Sequence, residues 1–297
     1  MPLVSVVLSF RNEAENIRAL IARLAGMFAG QPVDYELIFV NDASTDRSLE
    51  ILIGERQQNP RVKVLNMSRR FGVAEGVLAG MEAARGDAVV YMDADLQDPP
   101  EVIPELIARW QAGSDVVHTV RTRRHGESPF KMFATRMAYR IIQFGSAIEL
   151  PVDAGDFKLL SRRVVDHLLR LREADPYLRG LVVWLGYPQV FVAYERDARH
   201  AGRTHFPFFS RNPWKTFALG LTSFSFMPIY ACFALAGAGL VLSAALALTE
   251  GLLASLFALL WALLMAAVAV VGIYVVRIYK DVRGRPAFIV ASRVGFE

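Results

Sequence analysis

Two carboxylates two residues apart, Asp93 and Asp95, stand where an apolar run ends. Residues 88–92, Ala-Val-Val-Tyr-Met, have the continuous apolar character of a parallel strand covered on both faces, and Pro99 and Pro100 forbid sheet pairing beyond it. Side chains at i and i+2 leaving a strand project to the same side. Two like charges so placed repel each other unless a proton or a cation separates them. Hard oxygen ligands of this kind suit Mg²⁺ or Mn²⁺, ions that commonly carry a substrate phosphate as well. The plain alternative is a solvated acidic turn. Spacing alone does not separate the two, so the elements that deliver the acids have to.

Apolar runs at residues 3–10, 35–40, 62–66, 88–92 and 115–120 alternate with helical patterns at 17–24, 48–57, 74–84 and 101–111. Such alternation predicts right-handed βαβ units and an α/β fold with a mostly parallel sheet, in which ligands bind at the carboxyl ends of the strands. Asp42, Asp93 and Asp95 all fall at such ends, a convergence that a chance acidic turn would not show. Residues 121–131 are basic and polar around Gly126, and read as a surface loop able to cover bound phosphates. Residues 133–144 have helical spacing, 153–157 read as a tight polar turn, 164–171 as a helix and 189–194 as a strand. Arg196, Arg199, Arg203 and His205 then form a second basic cluster.

Composition changes after His205. Residues 206–228 mix seven rings, among them Phe206, Trp214 and Phe226, with Arg211 and Lys215, the make-up of a segment lying at the membrane interface. Residues 229–248 and 252–276 contain no Asp, Glu, Lys or Arg, and each is long enough to cross a hydrocarbon core of roughly 30 Å. They predict a tight transmembrane hairpin whose Gly237, Gly239 and Ser243 permit close helix contact. The basic residues that follow, Arg277, Lys280, Arg283, Arg285 and Arg293, place both ends and the large domain in the cytoplasm by the positive-inside rule. A hydrophobic content of 54% suits a membrane protein, and a net charge of +4 makes no case for nucleic acid. The single cysteine, Cys232, excludes an intrachain disulfide and any cysteine-based metal site. The N-terminal residues read as a first strand, without the basic start of a signal peptide.

The strings Phe39-Val-Asn-Asp-Ala-Ser44, Met92-Asp-Ala-Asp-Leu-Gln-Asp-Pro-Pro100, Asp153-Ala-Gly-Asp-Phe-Lys-Leu159, Leu178-Arg-Gly-Leu-Val-Val-Trp184 and Gly284-Arg-Pro286 resemble the polyprenyl-phosphate hexosyltransferases. These are family 2 glycosyltransferases of the dolichol-phosphate mannose synthase and bactoprenol glucosyltransferase type. The resemblance runs over almost the whole chain. It implies a GT-A domain at 1–205, an interfacial segment at 206–228, membrane helices at 229–249 and 252–276, and a basic cytoplasmic tail at 277–297, in the cytoplasmic (inner) membrane. It implies inverting transfer of one hexose from a nucleotide sugar, UDP-glucose or GDP-mannose, to undecaprenyl or dolichyl phosphate with Mg²⁺ or Mn²⁺, and it allows a homo-oligomer.

Carried onto this chain, the resemblance makes Asp93, Asp95 and Gln97 the metal site. Ser9, Arg11, Glu13, Asp42, Asp93, Arg121 and Lys131 become the nucleotide-sugar pocket, and Asp156, Asp95 and Arg121 the catalytic set. Arg196, Arg199, Arg203 and His205 are the residues expected to attract the acceptor phosphate. The sequence departs from the family pattern at Ser9 and Arg11, at Val73-Ala74 and at Thr204-His205, all in the nucleotide and phosphate pockets. Transfer to another lipid or to a glycan, and a silent scaffold that only binds nucleotide sugar, are the competing expectations. The intact Asp93, Asp95 and Asp156 oppose the scaffold.

Overall fold

The structure is a computed structural model that describes residues 1–123, 154–196, 220–246 and 253–296, with residues 137, 140, 143, 146 and 148. In chain order, the elements are β1 (Leu3–Phe10), α1 (Ile17–Phe28), β2 (Asp34–Asn41), α2 (Ser48–Gln58), β3 (Val62–Met67), α3 (Val73–Ala83) and β4 (Ala88–Asp93). A 3₁₀ turn (Pro100–Val102) leads into α4 (Ile103–Gln111), followed by β5 (Val116–Arg123), β6 (Ala154–Ser161), α5 (Arg162–Leu168), α6 (Leu178–Trp184) and β7 (Gln189–Glu195). The chain closes with α7 (Met227–Leu246), α8 (Leu253–Val282) and β8 (Val290–Val294).

The strands form one sheet in the order β7-β5-β6-β4-β1-β2-β3-β8. β3, β2, β1, β4, β5 and β7 share one direction, and β6 and β8 run against it. Helices cover both faces, so the central strands are apolar on both, as their uninterrupted runs predict. Val4, Val6, Leu8 and Phe10 of β1 join the core against α1 and α4, where Ile17, Leu20, Ile21 and Leu24 of α1 recur at helical spacing. Val7, between Ser5 and Ser9, faces the opposite core with Val77, Leu78 and Met81 of α3. That face is tightly fitted. A Cβ at Gly76 would collide with Ser9 Oγ, and one at Gly80 with Val7 Cγ1. The small residues therefore bring α3 down onto β1.

Two expectations are corrected by the sheet. Of the turn expected at 153–157, residues 154–157 instead open β6, which pairs antiparallel with β4 on one side and β5 on the other, and Asp153 lies outside the described residues. Ala-Gly-Asp has turn-like composition, but Phe157, Leu159 and Leu160 are fully buried and hold the strand in the sheet. The residues after α8 are not only a basic tail. β8 pairs with β3, Val294 against Val64, while Phe288, Val290 and Phe296 pack on the α3-side core.

Within α8, Leu259–Val282 has a mean hydropathy of 2.6, is unburied, and is long and apolar enough to cross a membrane. The described apolar part of α7, Met227–Gly239, is shorter. Gly239 lies against α8, where an added Cβ would stand 3.0 Å from Leu263 and 3.1 Å from Leu260. Residues 206–219 and 247–252, most of the expected helix at 133–144, and Lys131, Arg199, Arg203 and His205 lie outside the described residues.

Gly86 opens the turn into β4, and its added Cβ would meet backbone atoms, Ser5 N at 2.6 Å and Ala88 O at 2.7 Å. Gly86→Ala is expected to cost about 1–3 kcal/mol, read as a lower unfolding midpoint of the purified chain in detergent. An unchanged midpoint would show that this close approach relaxes freely.

Candidate active site

The carboxyl ends of β1, β2 and β4 lie side by side, with Phe10 opposite Asn41 and Ser9 opposite Asp93 in the ladder. Just beyond each end the chain turns through a left-handed residue that is not glycine: Asn12 (φ 57°), Ala43 (φ 52°) and Leu96 (φ 59°). Strained residues of this kind persist where surrounding contacts over-determine the backbone, and they gather at functional sites. The contacts are present here. Asn12 N–H donates to Ser44 Oγ at 2.9 Å, and Thr45 N–H donates to Asn12 Oδ1 at 2.8 Å. Asp46 accepts from the N–H groups of Ala14 and Ser48, which makes it a turn residue and leaves Asp42 as the acid facing the site. Asp42 Oδ1 in turn accepts the Phe71 N–H at 2.6 Å and ties the end of β2 to the loop before α3.

Asp93 closes β4. Asp95 is buried and its Oδ1 accepts the Gln97 N–H at 3.1 Å, an Asx-type turn that sets the loop. Asp98 is only 1% exposed. Burial first, and then the charges of Asp95, Asp98 and Asp156, push the Asp93 carboxyl up to about 7. The group is thus short of positive charge by its own composition.

β6 and the edge strands supply part of that charge. Because β6 runs antiparallel, its first residues lie level with the carboxyl ends of β4 and β5, and Asp156 and Lys158 reach the site from there. Arg179 of α6 grips Asp156 with two bonds, Nε to Oδ1 at 2.8 Å and Nη2 to Oδ2 at 2.5 Å. Burial opposes ionisation of Asp156, but Arg179, Lys158 and Arg121 prevail and hold it well below the usual carboxylate range. Burial lowers the Lys158 ammonium to about 8 against the pull of Asp156.

Asp98 is the second anchor for cations. It accepts the Tyr194 hydroxyl at 2.5 Å and pairs with Arg196 at 3.3 Å and with Arg121 at 3.8 Å. Arg121 Nε donates to Tyr194 Oη at 3.1 Å, and its guanidinium occupies the space that a Cβ at Gly155 would need.

Asp42, Asp93, Asp95, Arg121 and Asp156 are therefore brought together, with Gln97 on the same loop. Ser9 Oγ and Arg11 Nε are buried there without a hydrogen-bond partner among the described residues. Glu13 is buried in the turn before α1, where its Oε2 accepts Asn16 Nδ2 at 2.6 Å. Arg196 is drawn to Asp98 within the site. Sequence reasoning missed Asp98, Lys158, Arg179 and Tyr194. Asp98 continues the acidic series of Asp93 and Asp95, and Lys158 and Arg179 sit inside two of the family-like strings, so their signal was present without a partner to give it meaning.

The donor set fits a hard divalent cation. Among the described residues no three His, Cys, Asp or Glu side chains cage a metal, so Asp93 and Asp95 would share an ion with substrate oxygens, the usual manner of Mg²⁺. The crowding that raises the Asp93 carboxyl is what such a charge relieves.

Comparison with known sequences decides the family. Residues 5–169 match Glycosyl transferase family 2. The chain belongs to that family. This glycosyltransferase is 39% identical to an uncharacterized glycosyltransferase of Bacillus subtilis, over 99% of its own length and 94% of the relative's. It is 31% identical to the bactoprenol glucosyl transferase of Shigella phage SfX, over 98% and 99% of the two chains. Glucosyl-3-phosphoglycerate synthase from Mycobacterium tuberculosis, solved with Mn²⁺, UDP-glucose and phosphoglyceric acid, shares the fold with a TM-score of 0.53. That likeness covers 75% of this chain and 79% of the other at 21% identity. The sheet is of the GT-A kind.

The raised Asp93 sets a test without substrate. Its folded pKa of about 7 lies above the ordinary 3.8, so ionising it opposes folding. The penalty is absent below the ordinary carboxylate range, grows as pH rises, and is complete above about 7. In EDTA, Asp93→Asn is expected to raise the unfolding midpoint at about pH 8 and to give no gain at about pH 4. A midpoint lowered or unmoved at the higher pH would contradict the crowding.

Proposed function

We propose that this glycosyltransferase moves one hexose from a nucleotide sugar, UDP-glucose or GDP-mannose, to the phosphate of a membrane polyprenol, undecaprenyl or dolichyl phosphate, inverting the anomeric carbon. The observation that carries the reading is the division of one sheet edge into an acidic half, Asp93 and Asp95, and a half with fixed cations, Arg121, Arg179 and Arg196. Both halves belong to a domain that continues into an apolar helix of membrane-crossing length. Similarity to a bactoprenol glucosyl transferase over almost the full chain supports the lipid acceptor, and the Mn²⁺ and UDP-glucose of the M. tuberculosis synthase support the donor side.

Asp93 and Asp95, with Gln97 beside them, would hold Mg²⁺ or Mn²⁺, which when bound offsets the charge that builds on the leaving diphosphate. Ser9 Oγ, Arg11 Nε and Asp42 line the nucleotide end, where the first two are buried without a hydrogen-bond partner among the described residues. Arg121, fixed by Tyr194 and Asp98, adds positive charge where negative charge develops and needs no rearrangement to do so. The acceptor, a phosphate, is already anionic at neutral pH and needs no strong base. Asp156, held firmly ionised by Arg179, is a poor proton acceptor; its part is to orient the attacking group and repel it from unproductive positions. The catalytic domain lies on the cytoplasmic side of the inner membrane, because Arg277, Lys280, Arg283 and Arg285 cluster at the C-terminal end of α8 and just beyond it. α7 serves as the second span and makes the protein multi-pass.

Membranes carrying the protein, given undecaprenyl or dolichyl phosphate, Mg²⁺ or Mn²⁺ and a panel of radiolabelled nucleotide sugars, are expected to label the lipid from one donor. Asp95→Ala is expected to lower the rate by at least about a hundredfold. No labelling from any donor, or labelling that survives Asp95→Ala, would overturn the reading.

A further inference from the structure

Residues 173–181 are contacted by α8 and by the residues leading into α7. From α8, Lys280 Nζ pairs with Asp175 at 2.5 Å, Arg277 pairs with Glu173 at 3.4 Å, and Asp281 Oδ1 accepts the Ala174 N–H at 2.9 Å. From the residues leading into α7, the Phe224 ring fills the space that a Cβ at Gly180 would need and lies 6.3 Å from the Tyr177 ring. Arg277 Nη1 also donates to Thr222 Oγ1 at 3.2 Å, and Tyr274 Oη donates to Ser225 O at 2.7 Å, so the bases of the two helices are joined to each other. Between Tyr177 and Gly180 stands Arg179, whose guanidinium holds Asp156 with two bonds.

We propose that Arg179 is a positioning residue, through which the bases of the two membrane helices fix the orientation of Asp156 for the acceptor. The inference rests on the reading of the site as a lipid-phosphate transferase. Its physical basis is multiplicity. A single partly exposed ion pair contributes only about 0–1 kcal/mol. Here, however, two pairs, a backbone hydrogen bond and an aromatic ring packed on a glycine converge on nine residues. Such a brace matters less for stability than for placement. A planar guanidinium gripping a carboxylate with two parallel bonds fixes the plane of that carboxylate, which one ammonium cannot do. A misplacement of about 1 Å at a reacting centre can cost about a hundredfold in rate. The acceptor, arriving from the bilayer, would thus meet a carboxylate aligned by the same helices that hold the domain against that bilayer. Ser9, Arg11 and Asp42 belong to β1, β2 and the residues just after them, which make none of the brace's contacts, so the nucleotide end of the donor site is expected to survive its loss.

The test uses the full chain in detergent or nanodiscs, undecaprenyl or dolichyl phosphate, and whichever of UDP-glucose and GDP-mannose the transfer panel selects. Arg179→Gln is expected to lower kcat by about a hundredfold, with the donor KM and the thermal shift produced by donor plus Mn²⁺ unchanged. Arg179→Lys is expected to recover part of the loss. The double variant Arg277→Ala with Lys280→Ala, remote from substrate, is expected to lower kcat by about tenfold with the same unchanged donor readouts. The donor-dependent thermal shift certifies that each variant is folded. Arg179→Gln with wild-type kcat, or loss of donor binding in step with kcat, would overturn the positioning role. Wild-type protein that transfers no sugar would instead overturn the functional reading on which the inference rests.

Discussion

The structure depends on how buried negative charge is tolerated at one edge of a sheet. Asp93, Asp95, Asp98 and Asp156 stand near enough for their charges to interact, in a place where water screens them poorly. Each is handled differently. Asp98 is neutralised by Arg121, Arg196 and the Tyr194 hydroxyl, and Asp156 by the fork of Arg179. Asp95 accepts the Gln97 N–H within its own turn, whereas Asp93 is left with its carboxyl pushed up to about 7. A domain selected only for stability would not keep such an arrangement. The crowded acid, which Arg196 only partly offsets, is understandable as the place where a cation bound with substrate brings further positive charge.

The reversed strand β6 makes this arrangement possible. A parallel strand inserted between β4 and β5 would carry its first residues to the opposite end of the sheet. Running antiparallel, β6 delivers Asp156 and Lys158 to the same edge as Asp93, next to Arg121 lying over Gly155. Reversal therefore unites the acidic half with its cations. The strained turns at Asn12 and Ala43 complete the edge from the other side and are held by the lacing between the loops after β1 and β2, while Leu96 sits within the Asp95–Gln97 turn.

The far end of the sheet serves a different purpose. Glu36 is buried, yet it accepts Ser5 Oγ at 2.5 Å, Lys63 Nζ at 2.6 Å and the Arg85 N–H at 2.8 Å, and these bonds overcome burial to lower its pKa. Arg162 donates to the carbonyls of Ala84 and Gly86, securing the end of α3 and the turn into β4. Polar groups there are satisfied within the protein, as stability requires. At the functional edge, Ser9 Oγ and Arg11 Nε find no such partner among the described residues.

By itself, the sequence determined the alternation of strands and helices, the parallel core, the strand ends that present Asp42, Asp93 and Asp95, and the apolar stretch that became α8. These follow from periodicity and from acids at the ends of apolar runs, both local properties of the chain. The same reasoning mistook the opening of β6 for a turn, because Ala-Gly-Asp looks like one until two neighbouring strands pair with it. It passed over β8, whose short mixed run acquires meaning only beside β3. It did not foresee that Arg196 pairs with Asp98, and it left Asp98, Tyr194 and Arg179 without roles. A charge acquires its role from its partner, and these partners are 23 to 98 residues away along the chain: Asp156 for Arg179, and Tyr194 and Arg196 for Asp98. Only the tertiary structure brings such pairs together, because strand order and direction, which the local pattern does not encode, decide which residues share an edge.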